Sequence, residues 1–311
     1  MARYLVTGGC GFIGSHLADA LVARGHQVRI LDNLSTGKVG NAPAQAELIV
    51  GDITDRAQVN DCVAGMDGVF HLAAIASVER GNRDWLGCHA VNLTGCINVF
   101  DAARSGGTAP IRVVYASSAA VYGDAASVPL TEADLPRPII SYGADKLGCE
   151  LHGRVATLLH GVPTIGLRLF NVYGARQDPN SPYSGVISIF AERARRHTPI
   201  DIHGDGQQQR DFVAVADVVE FLIAAMAAKD GAGDAYNVCT GRATTILELA
   251  GLVGATFGVT PEIRFQPARP GDIRVSIGDP ARAARSLGRT AGLTLRQGLA
   301  LAFAGDALKV E

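Results

Sequence analysis

Three things are scarce in this chain: an excess of charge of one sign, long apolar runs and clustered metal ligands. Its 28 lysines and arginines nearly balance 30 aspartates and glutamates, which gives a formal net charge of -2. That balance gives no reason to expect nucleic acid or an anionic membrane as a partner. No stretch approaches the roughly 20 apolar residues of a membrane span, and glycines from position 8 interrupt any signal peptide. We therefore expect a cytoplasmic protein.

Cysteine and histidine are present, but without the spacing that binds metals or builds a disulfide framework. The chain has six cysteines with no Cys-x-x-Cys pair, and its eight histidines show no ligand spacing. We predict reduced thiols and no metal site. With 311 residues, 48% of them hydrophobic, the chain has the length of about two domains of an ordinary globular protein.

The opening segment has the pattern of a strand, a glycine turn and a helix. Residues 4–6 predict a short buried strand, and helical periodicity follows over residues 12–24. Glycines recur every third residue at the junction, where they would permit a tight turn, close approach of a phosphate and close packing of helix on strand. The free N–H groups at the positive end of the helix would bind a pyrophosphate. The predicted contacts are Gly8, Gly11, Phe12, Ile13 and Gly14.

A second predicted strand, residues 27–32, ends in an acidic residue. Asp32 follows the last glycine by about 18 residues, the distance at which an acid binds the adenosine ribose in a dinucleotide fold. Its carboxylate would repel a 2′-phosphate, so the sequence favours NAD over NADP. The alternative is a plain turn acid, because Asp32-Asn33 also suits a turn. The other contacts predicted at the adenosine end are Asn33, Ser35, Thr36, Gly37, Asp52 and Ile53.

Strands alternate with helices through the first half of the chain. The predicted strands are 4–6, 27–32, 46–50, 68–74, 112–118 and 163–170. This alternation indicates an α/β fold with a Rossmann-type doubly wound parallel sheet. Ligands bind at the carboxyl ends of such strands. Cofactor contacts are therefore predicted for Leu72, Ala73, Ala74, Ser117 and Phe170, and for Asn92 on a helix over residues 85–105.

After residue 171 the regular alternation breaks down. A polar loop over 177–185 is followed by predicted helices over 186–196, 215–228 and 245–258 and by short strands at 200–203 and 235–238. We divide the chain into a NAD-binding Rossmann domain, residues 1–171, and a smaller α/β substrate domain, mainly residues 172–311. Some later elements are expected to return to the first sheet.

Three polar side chains near the carboxyl edge of the predicted sheet suggest proton transfer. Tyr142 and Lys146 are four residues apart in a helix predicted over 141–160, so they share one face. A tyrosine with its ordinary pKa near 10 is a poor base, but a lysine cation and a nicotinamide ring nearby favour its phenolate. Ser118 would hydrogen-bond the reacting oxygen and relay the proton. The alternative is a core-facing aromatic beside a lysine that reaches to solvent.

The whole chain resembles the extended short-chain dehydrogenase/reductase family, and within it the nucleotide-sugar epimerases that act on UDP-hexoses. The motifs that carry the resemblance are Thr7-Gly-Gly-Cys-Gly-Phe-Ile-Gly14, His71-Leu-Ala-Ala74, Ser117-Ser118, Val121-Tyr-Gly123, Tyr142-x-x-x-Lys146, Arg168-Leu-Phe-Asn-Val-Tyr-Gly174, Arg210-Asp-Phe-Val213 and Arg269-Pro-Gly-Asp272. The resemblance implies that bound NAD oxidises C4 of the sugar. The 4-keto sugar then turns over and is reduced from its other face.

The resemblance also implies roles for individual residues and an oligomeric state. The catalytic places fall to Ser118, Tyr142 and Lys146. The substrate places fall to Asn171 and Arg210 at the UDP diphosphate, Arg269 as a second cation, Asp272 at the uridine ribose, His203 near uracil, Val186 in the pocket, and Ser276 beside the C2 substituent. A homodimer is implied, in which the helices over 85–105 and 141–160 pair with their copies.

Two departures from the family pattern narrow the reaction. Sugar-nucleotide 4,6-dehydratases carry Asp-Glu after the catalytic hydroxyl, and UDP-glucuronate decarboxylases keep an acid there, but this chain has Ala119-Ala120. Alanine transfers no protons, so the sequence favours an epimerase. In the resembling epimerases that accept only glucose and galactose, a bulky tyrosine occupies the position of Ser276. Room for an N-acetyl group is therefore predicted, and with it activity on UDP-GlcNAc and UDP-GalNAc, with or without activity on UDP-Glc and UDP-Gal.

Two other interpretations stay open. The same fold and catalytic groups suit another nucleotide-sugar epimerase or a reductase. A non-catalytic NAD-binding protein needs only the glycine turn and Asp32, so the presence of Ser118, Tyr142 and Lys146 argues against it.

Overall fold

The computed structural model describes residues 1–76, 78–105, 109–125, 127–178, 185–269 and 272–304. Most of the loop predicted over 177–185, and residues 270 and 271 of the Arg-Pro-Gly-Asp motif, lie outside these ranges. The strands are β1 (Arg3–Thr7), β2 (Gln27–Asp32), β3 (Glu47–Val50), β4 (Gly68–His71), β5 (Arg112–Ser118), β6 (Thr164–Leu169), β7 (Asn171–Tyr173), β8 (Ile200–His203), β9 (Gln209–Arg210), β10 (Phe212–Ala214), β11 (Asp234–Val238), β12 (Thr244–Thr245), β13 (Ile263–Gln266) and β14 (Val275–Ser276).

Eleven α-helices are found in the described ranges. They are α1 (Phe12–Ala23), α2 (Arg56–Val63), α3 (Val78–Arg83), α4 (Trp85–His89), α5 (Gly95–Ser105), α6 (Ser141–His160), α7 (Val186–Arg195), α8 (Val215–Ala227), α9 (Ile246–Thr256), α10 (Ala281–Leu287) and α11 (Leu295–Ala302). The helix predicted over 85–105 is α4 and α5 joined by a π-helical turn, Ala90–Thr94. A π turn widens the helix locally and re-aims one side chain, which a helical periodicity does not reveal.

The central sheet has seven strands in the order β11-β6-β5-β4-β1-β2-β3, and all its pairings are parallel. From β1 the chain first adds β2 and β3 on one side and then crosses over to β4, β5 and β6 on the other. The strand order therefore reverses between β1 and β4. A crevice opens at such a point, outside the carboxyl ends of the strands.

Helices cover both faces of this sheet, because its strands are apolar on both sides. All four residues of β4 and all six of β6 are buried, as parallel sheets require. On one face, Leu17 and Leu21 of α1 pack in a core with Val218 and Leu222 of α8. On the other face α2, α5 and α6 bury their apolar stripes. The predicted Rossmann-type fold is confirmed.

The second half of the chain contributes to two units. The strand β11 forms an edge of the large sheet, and α8 and α10 pack in the same core, so residues far beyond 171 belong to the Rossmann unit. A separate core joins α7, α9 and α11 with the β8–β13 strand pair. A domain boundary at 171 remains an interpretation of the sequence, since the chain passes between the units more than once.

Three further observations concern membrane spans, metal ligands and thiols. No helix in the described part of the chain is long and apolar enough to cross a membrane. Within the same residues no group of three or more histidine, cysteine, aspartate or glutamate side chains is placed to hold a metal ion. All six cysteines are buried free thiols.

Candidate active site

The glycine turn between β1 and α1 leaves room for a ligand at the backbone. Gly8 has φ +70°, and a Cβ added there would lie 2.8 Å from the backbone nitrogen of Ala73. A Cβ on Gly14 would collide with the carbonyl oxygen of Gly8. The N-cap of α1, Gly11, provides no side-chain cap, so the first-turn amides need an outside acceptor. These features fit a pyrophosphate at the helix N-terminus.

Asp32 is fixed at the carboxyl end of β2 by the backbone around it. Its Oδ2 accepts from the Cys10 amide at 2.9 Å, and its Oδ1 accepts from the Leu34 amide at 2.8 Å. Gly37 packs against this carboxylate, since an added Cβ would lie 2.8 Å from Oδ1. The acid is therefore held in place before any ligand binds. Its negative charge suits ribose hydroxyls and disfavours a 2′-phosphate.

Asp52 extends this polar wall from the loop after β3. Its Oδ1 accepts from the Thr54 amide and hydroxyl, and its Oδ2 accepts from Asn33 Nδ2 at 2.8 Å. Burial would raise the pKa of Asp52, but these hydrogen bonds outweigh it and lower the pKa. The group stays ionised and presents acceptors where an adenine amino group is expected.

A cleft of about 890 Å³ runs along the carboxyl edge of the sheet and is lined by most of the predicted site. The predicted residues that line it are Gly8, Gly11, Phe12, Ile13, Gly14, Asp32, Asn33, Ser35, Thr36, Asp52, Ile53, Leu72, Ala73, Ala74, Ser117, Ser118, Tyr142, Lys146, Phe170, Asn171 and Val186. Those outside its lining are Gly37, Asn92, His203, Arg210, Arg269, Asp272 and Ser276.

Ser118, Tyr142 and Lys146 come together at this cleft from β5 and α6. Lys146 is 2% exposed, and its Nζ donates to the Ala116 carbonyl at 2.7 Å and lies 5.7 Å from the Tyr142 ring centroid. Burial alone would lower the pKa of Lys146, but Tyr142 and nearby acidic groups raise it overall. Ser118 Oγ accepts from the Ala120 amide at 3.1 Å, which leaves its own proton to donate.

A neutral histidine supports the strand end beneath this group. Thr7 Oγ1 accepts from the Leu72 and Ala73 amides, so its proton goes to His71 Nδ1 at 2.8 Å. Burial, reinforced by the charge of Lys146, lowers the pKa of His71 to about 3. The imidazole therefore stays uncharged and orients the Thr7 hydroxyl, whose oxygen holds the Leu72–Ala73 backbone at the cleft.

Asn92 was predicted as a cofactor contact, and in the structure its side-chain amide binds the loop after β4. It is 1% exposed, its Oδ1 accepts from the Ile75 amide at 2.7 Å, and its Nδ2 donates to the Ile75 carbonyl at 3.0 Å. The π turn brings the amide to this position. Asn92 thus fixes the loop after β4, whose residues Ala74 and Ile75 line the cleft.

Three of the predicted nucleotide residues form a second cluster beyond the cleft. Arg210 Nη2 donates to Asp272 Oδ1 at 2.6 Å, and Ser276 pairs with Arg210 in the β9–β14 ladder. Gln208, absent from the predicted set, is 7% exposed and donates to Asp272 Oδ2 at 3.2 Å. His203 Nδ1 lies 3.2 Å from the Pro267 carbonyl, and Arg269 is exposed.

Residues that sequence reasoning missed are mostly those that hold others in place. Thr7 and His71 belong to motifs that the sequence displays, and Gln208 lies two residues before the Arg210-Asp-Phe-Val213 motif, but their partners are distant in sequence. Asp211, fully buried, accepts from the Thr240 amide and hydroxyl and from the Gly241 amide. The available signal was an acid directly before the buried apolar strand β10, since such a charge must find several donors.

Together these features define the class of the protein: an NAD-dependent α/β enzyme with a tyrosine and a lysine at the cofactor cleft. The model of the NAD dependent epimerase/dehydratase family matches residues 4–239. The chain belongs to this family. The predicted family resemblance and NAD as cofactor are confirmed.

Similar proteins extend over the full length of the chain. The UDP-glucose 4-epimerase of Mycolicibacterium smegmatis is 37% identical over 96% of each chain. The structure of UDP-glucose 4-epimerase from Thermotoga maritima with UDP-glucose has a TM-score of 0.94 at 35% identity, over 99% of this chain and 100% of that one. UDP-N-acetylglucosamine 4-epimerase from Methanobrevibacter ruminantium M1, in complex with UDP-N-acetylmuramic acid, has a TM-score of 0.92 at 32% identity over 97% of both chains.

Proposed function

We propose that this enzyme inverts C4 of a UDP-hexose through a 4-keto intermediate, with UDP-GlcNAc and UDP-GalNAc as substrates, with or without UDP-Glc and UDP-Gal. The observation that carries the proposal is the buried Lys146 beside Tyr142, both facing the cleft that the glycine turn begins. The glycine turn and Asp32 would hold NAD, which would supply the hydride acceptor for C4 and, once reduced, the hydride donor.

The chain's own residues move the proton. Tyr142 accepts the proton of the C4 hydroxyl, because Lys146, buried and protonated, stabilises the negative charge on the phenol oxygen. Ser118 donates a hydrogen bond to the reacting oxygen and relays the proton. After the 4-keto sugar turns over, Tyr142 returns the proton to the oxygen on the other face.

The nucleotide is held by the second cluster. Arg210, with Asn171 and the exposed Arg269, binds the diphosphate in this proposal, since guanidinium groups bind phosphate oxygens in a fork geometry. Asp272 accepts from the uridine ribose, and His203 contacts the uracil. Val186 lines the cleft on the substrate side.

The choice of sugar is tested at Ser276. A serine leaves room for the C2 N-acetyl group, and a tyrosine would fill that space. We expect Ser276→Tyr to lose most turnover of the acetylated pair while keeping that of UDP-Glc and UDP-Gal. Turnover of both pairs is measured by separating the products. Equal loss on both pairs, or a parent protein inactive on the acetylated pair, contradicts this assignment.

Two alternatives make different predictions for the cofactor and for Tyr142. A reductase releases and exchanges its cofactor, whereas an epimerase keeps NAD bound, so absorbance of the purified protein separates them. A non-catalytic NAD-binding protein interconverts no sugars. Tyr142→Phe is expected to abolish turnover and to leave bound NAD unchanged. Turnover of Tyr142→Phe at the parent rate would refute the mechanism.

We further propose that the protein is a homodimer. Leu151, Val155, Leu158 and Leu159 form one stripe of α6 and are 46–73% exposed, and Trp85 of α4 is 66% exposed. Such a stripe ordinarily packs against a partner, and a copy of the same helix gives a four-helix bundle with α4 and α5. Analytical ultracentrifugation of Leu158→Glu is expected to show monomer where the parent is dimer. A parent that sediments as monomer contradicts the proposal.

A further inference from the structure

A buried carboxylate follows the catalytic pair on the same helix. Tyr142, Lys146 and Glu150 are spaced four residues apart in α6, so they lie on one face in successive turns. Glu150 is 9% exposed. The proton transfer proposed above gives it no task, although a buried charge requires partners.

Glu150 joins the helix to the strand that carries Ser118. The Ser117 hydroxyl donates to Glu150 Oε1 at 2.5 Å. Arg168 of β6, 6% exposed, binds the same carboxylate twice: its Nε donates to Oε1 at 2.9 Å and its Nη2 to Oε2 at 2.7 Å. Ser117 was predicted as a cofactor contact; it lines the cleft, but its hydroxyl proton is used by Glu150.

Arg168 is itself held in place by a second set of groups. Its Nη1 donates to the Tyr122 hydroxyl at 2.8 Å, which in turn donates to Asn237 Oδ1 at 2.7 Å. All three side chains are buried. The carboxylate therefore meets a guanidinium with one fixed orientation, so Glu150 has little freedom to move.

We propose that Glu150 is a positioning residue for the reaction: through Ser117 it fixes the distance between Ser118 on β5 and Tyr142 on α6. Successive residues of β5 are bound by successive turns of α6, because Ala116 accepts from Lys146 and Ser117 donates to Glu150. Ser118 is the next residue. If the helix shifted along the strand, the Ser118 hydroxyl would move away from the Tyr142 phenol, and the two could not act on the same substrate oxygen. The inference rests on the catalytic roles proposed for Ser118 and Tyr142.

If Glu150 served only the stability of the fold, an apolar side chain would serve as well. Buried ion pairs contribute little net stability compared with apolar residues of similar size. A buried hydroxyl also ties α6 to the sheet at its other end, where Thr164 Oγ1 donates to the Gly153 carbonyl at 2.8 Å. That contact lies three helical turns from Tyr142. It provides a matched control, because it joins the same helix to the same sheet away from the catalytic groups.

The experiment compares Ser117→Ala with Thr164→Val in the full-length protein. Ser117→Ala removes the tie and leaves the Glu150–Arg168 pair intact. We expect its kcat to fall about ten- to hundredfold, since a displacement of about 1 Å at reacting groups costs on that order, with KM and bound NAD unchanged. Thr164→Val is expected to keep the parent kcat while losing about as much thermal stability as Ser117→Ala.

A second variant tests the carboxylate itself. Glu150→Gln keeps an oxygen for the Ser117 hydroxyl and loses one bond to Arg168, so its kcat is expected to lie between those of the parent and Ser117→Ala. Parent kcat in both Ser117→Ala and Glu150→Gln overturns the inference, as does an equal loss of kcat in Ser117→Ala and Thr164→Val. If Tyr142→Phe also turns over at the parent rate, the proposed function fails and this inference fails with it. An inactive Tyr142→Phe beside a fully active Ser117→Ala refutes the positioning role alone.

Discussion

The buried imidazole of His71 makes the stability of this protein depend on pH. In the unfolded chain the imidazole has its ordinary pKa of 6.5, and in the folded protein burial and Lys146 lower the pKa to about 3. Above pH 6.5 the group is neutral in both states and favours neither. As the pH falls below that value, the unfolded chain gains a proton that the folded protein does not bind until about pH 3, so stability is lost.

The size of the loss follows from the two pKa values. At about pH 5, roughly 1.5 units below the ordinary value, proton uptake by the unfolded chain lowers the free energy of unfolding by about 2 kcal/mol. At about pH 7.5 the same group contributes almost nothing. The neighbouring Thr7 further disfavours protonation of His71 in the folded protein. Its hydroxyl donates to Nδ1, and a protonated Nδ1 would be a second donor facing it.

Urea unfolding of the parent and of His71→Asn at both pH values measures this contribution. Asparagine retains an acceptor for Thr7 but does not titrate. The parent is expected to lose about 2 kcal/mol more than His71→Asn between about pH 7.5 and about pH 5. Burial also lowers the pKa of His16. Both proteins contain His16, so its contribution cancels when their losses are compared. The exposed His152→Asn is the control and should match the parent. Equal losses in the parent and His71→Asn would refute this reasoning.

Three other substitutions test the site. Gly14→Ala places a methyl against the Gly8 carbonyl and should yield protein without bound NAD, measured by absorbance after purification. Asp32→Ala removes the charge that disfavours a 2′-phosphate, so the affinity ratio of NAD to NADP should fall about tenfold or more in titration calorimetry; an unchanged ratio contradicts the role of the acid. Asp211→Leu leaves the Thr240 and Gly241 donors unpaired and should cost about 3 kcal/mol or more of stability, measured by denaturant unfolding.

The fold was predictable from sequence where the spacing of the apolar residues agreed with the polar or glycine residues that end an element. The bounds of β2, β5 and α6 match the predicted ranges, because each is a periodic segment that ends in a polar or glycine residue. The π turn before α5 was not predicted, since it changes the helix by a single inserted residue. The return of β11 to the large sheet was expected only in general terms, because pairing between strands 65 or more residues apart leaves no local pattern.

The residues of the candidate site were predictable where neighbouring residues in the sequence form the binding or catalytic motif. The glycine turn, Asp32 and the Tyr142–Lys146 spacing are local and mark the cleft directly. Contacts across long stretches of chain were not predictable. The Ser117 hydroxyl bonds a residue 33 positions later, and the partner of Arg210 lies 62 positions away, so the roles of these side chains depend on packing.

The contact between Arg210 and Asp272 bears on the nucleotide binding proposed for these residues. A guanidinium that already has a carboxylate at 2.6 Å does not attract every anion that diffuses past. At the proposed nucleotide site, a phosphate that takes the Nη2 donor of Arg210 would leave Asp272 Oδ1 without its cation. A diphosphate joined to a ribose would also offer that carboxylate a hydroxyl, whereas inorganic phosphate would not. The ion pair would therefore favour binding of the whole nucleotide over binding of its charged fragments.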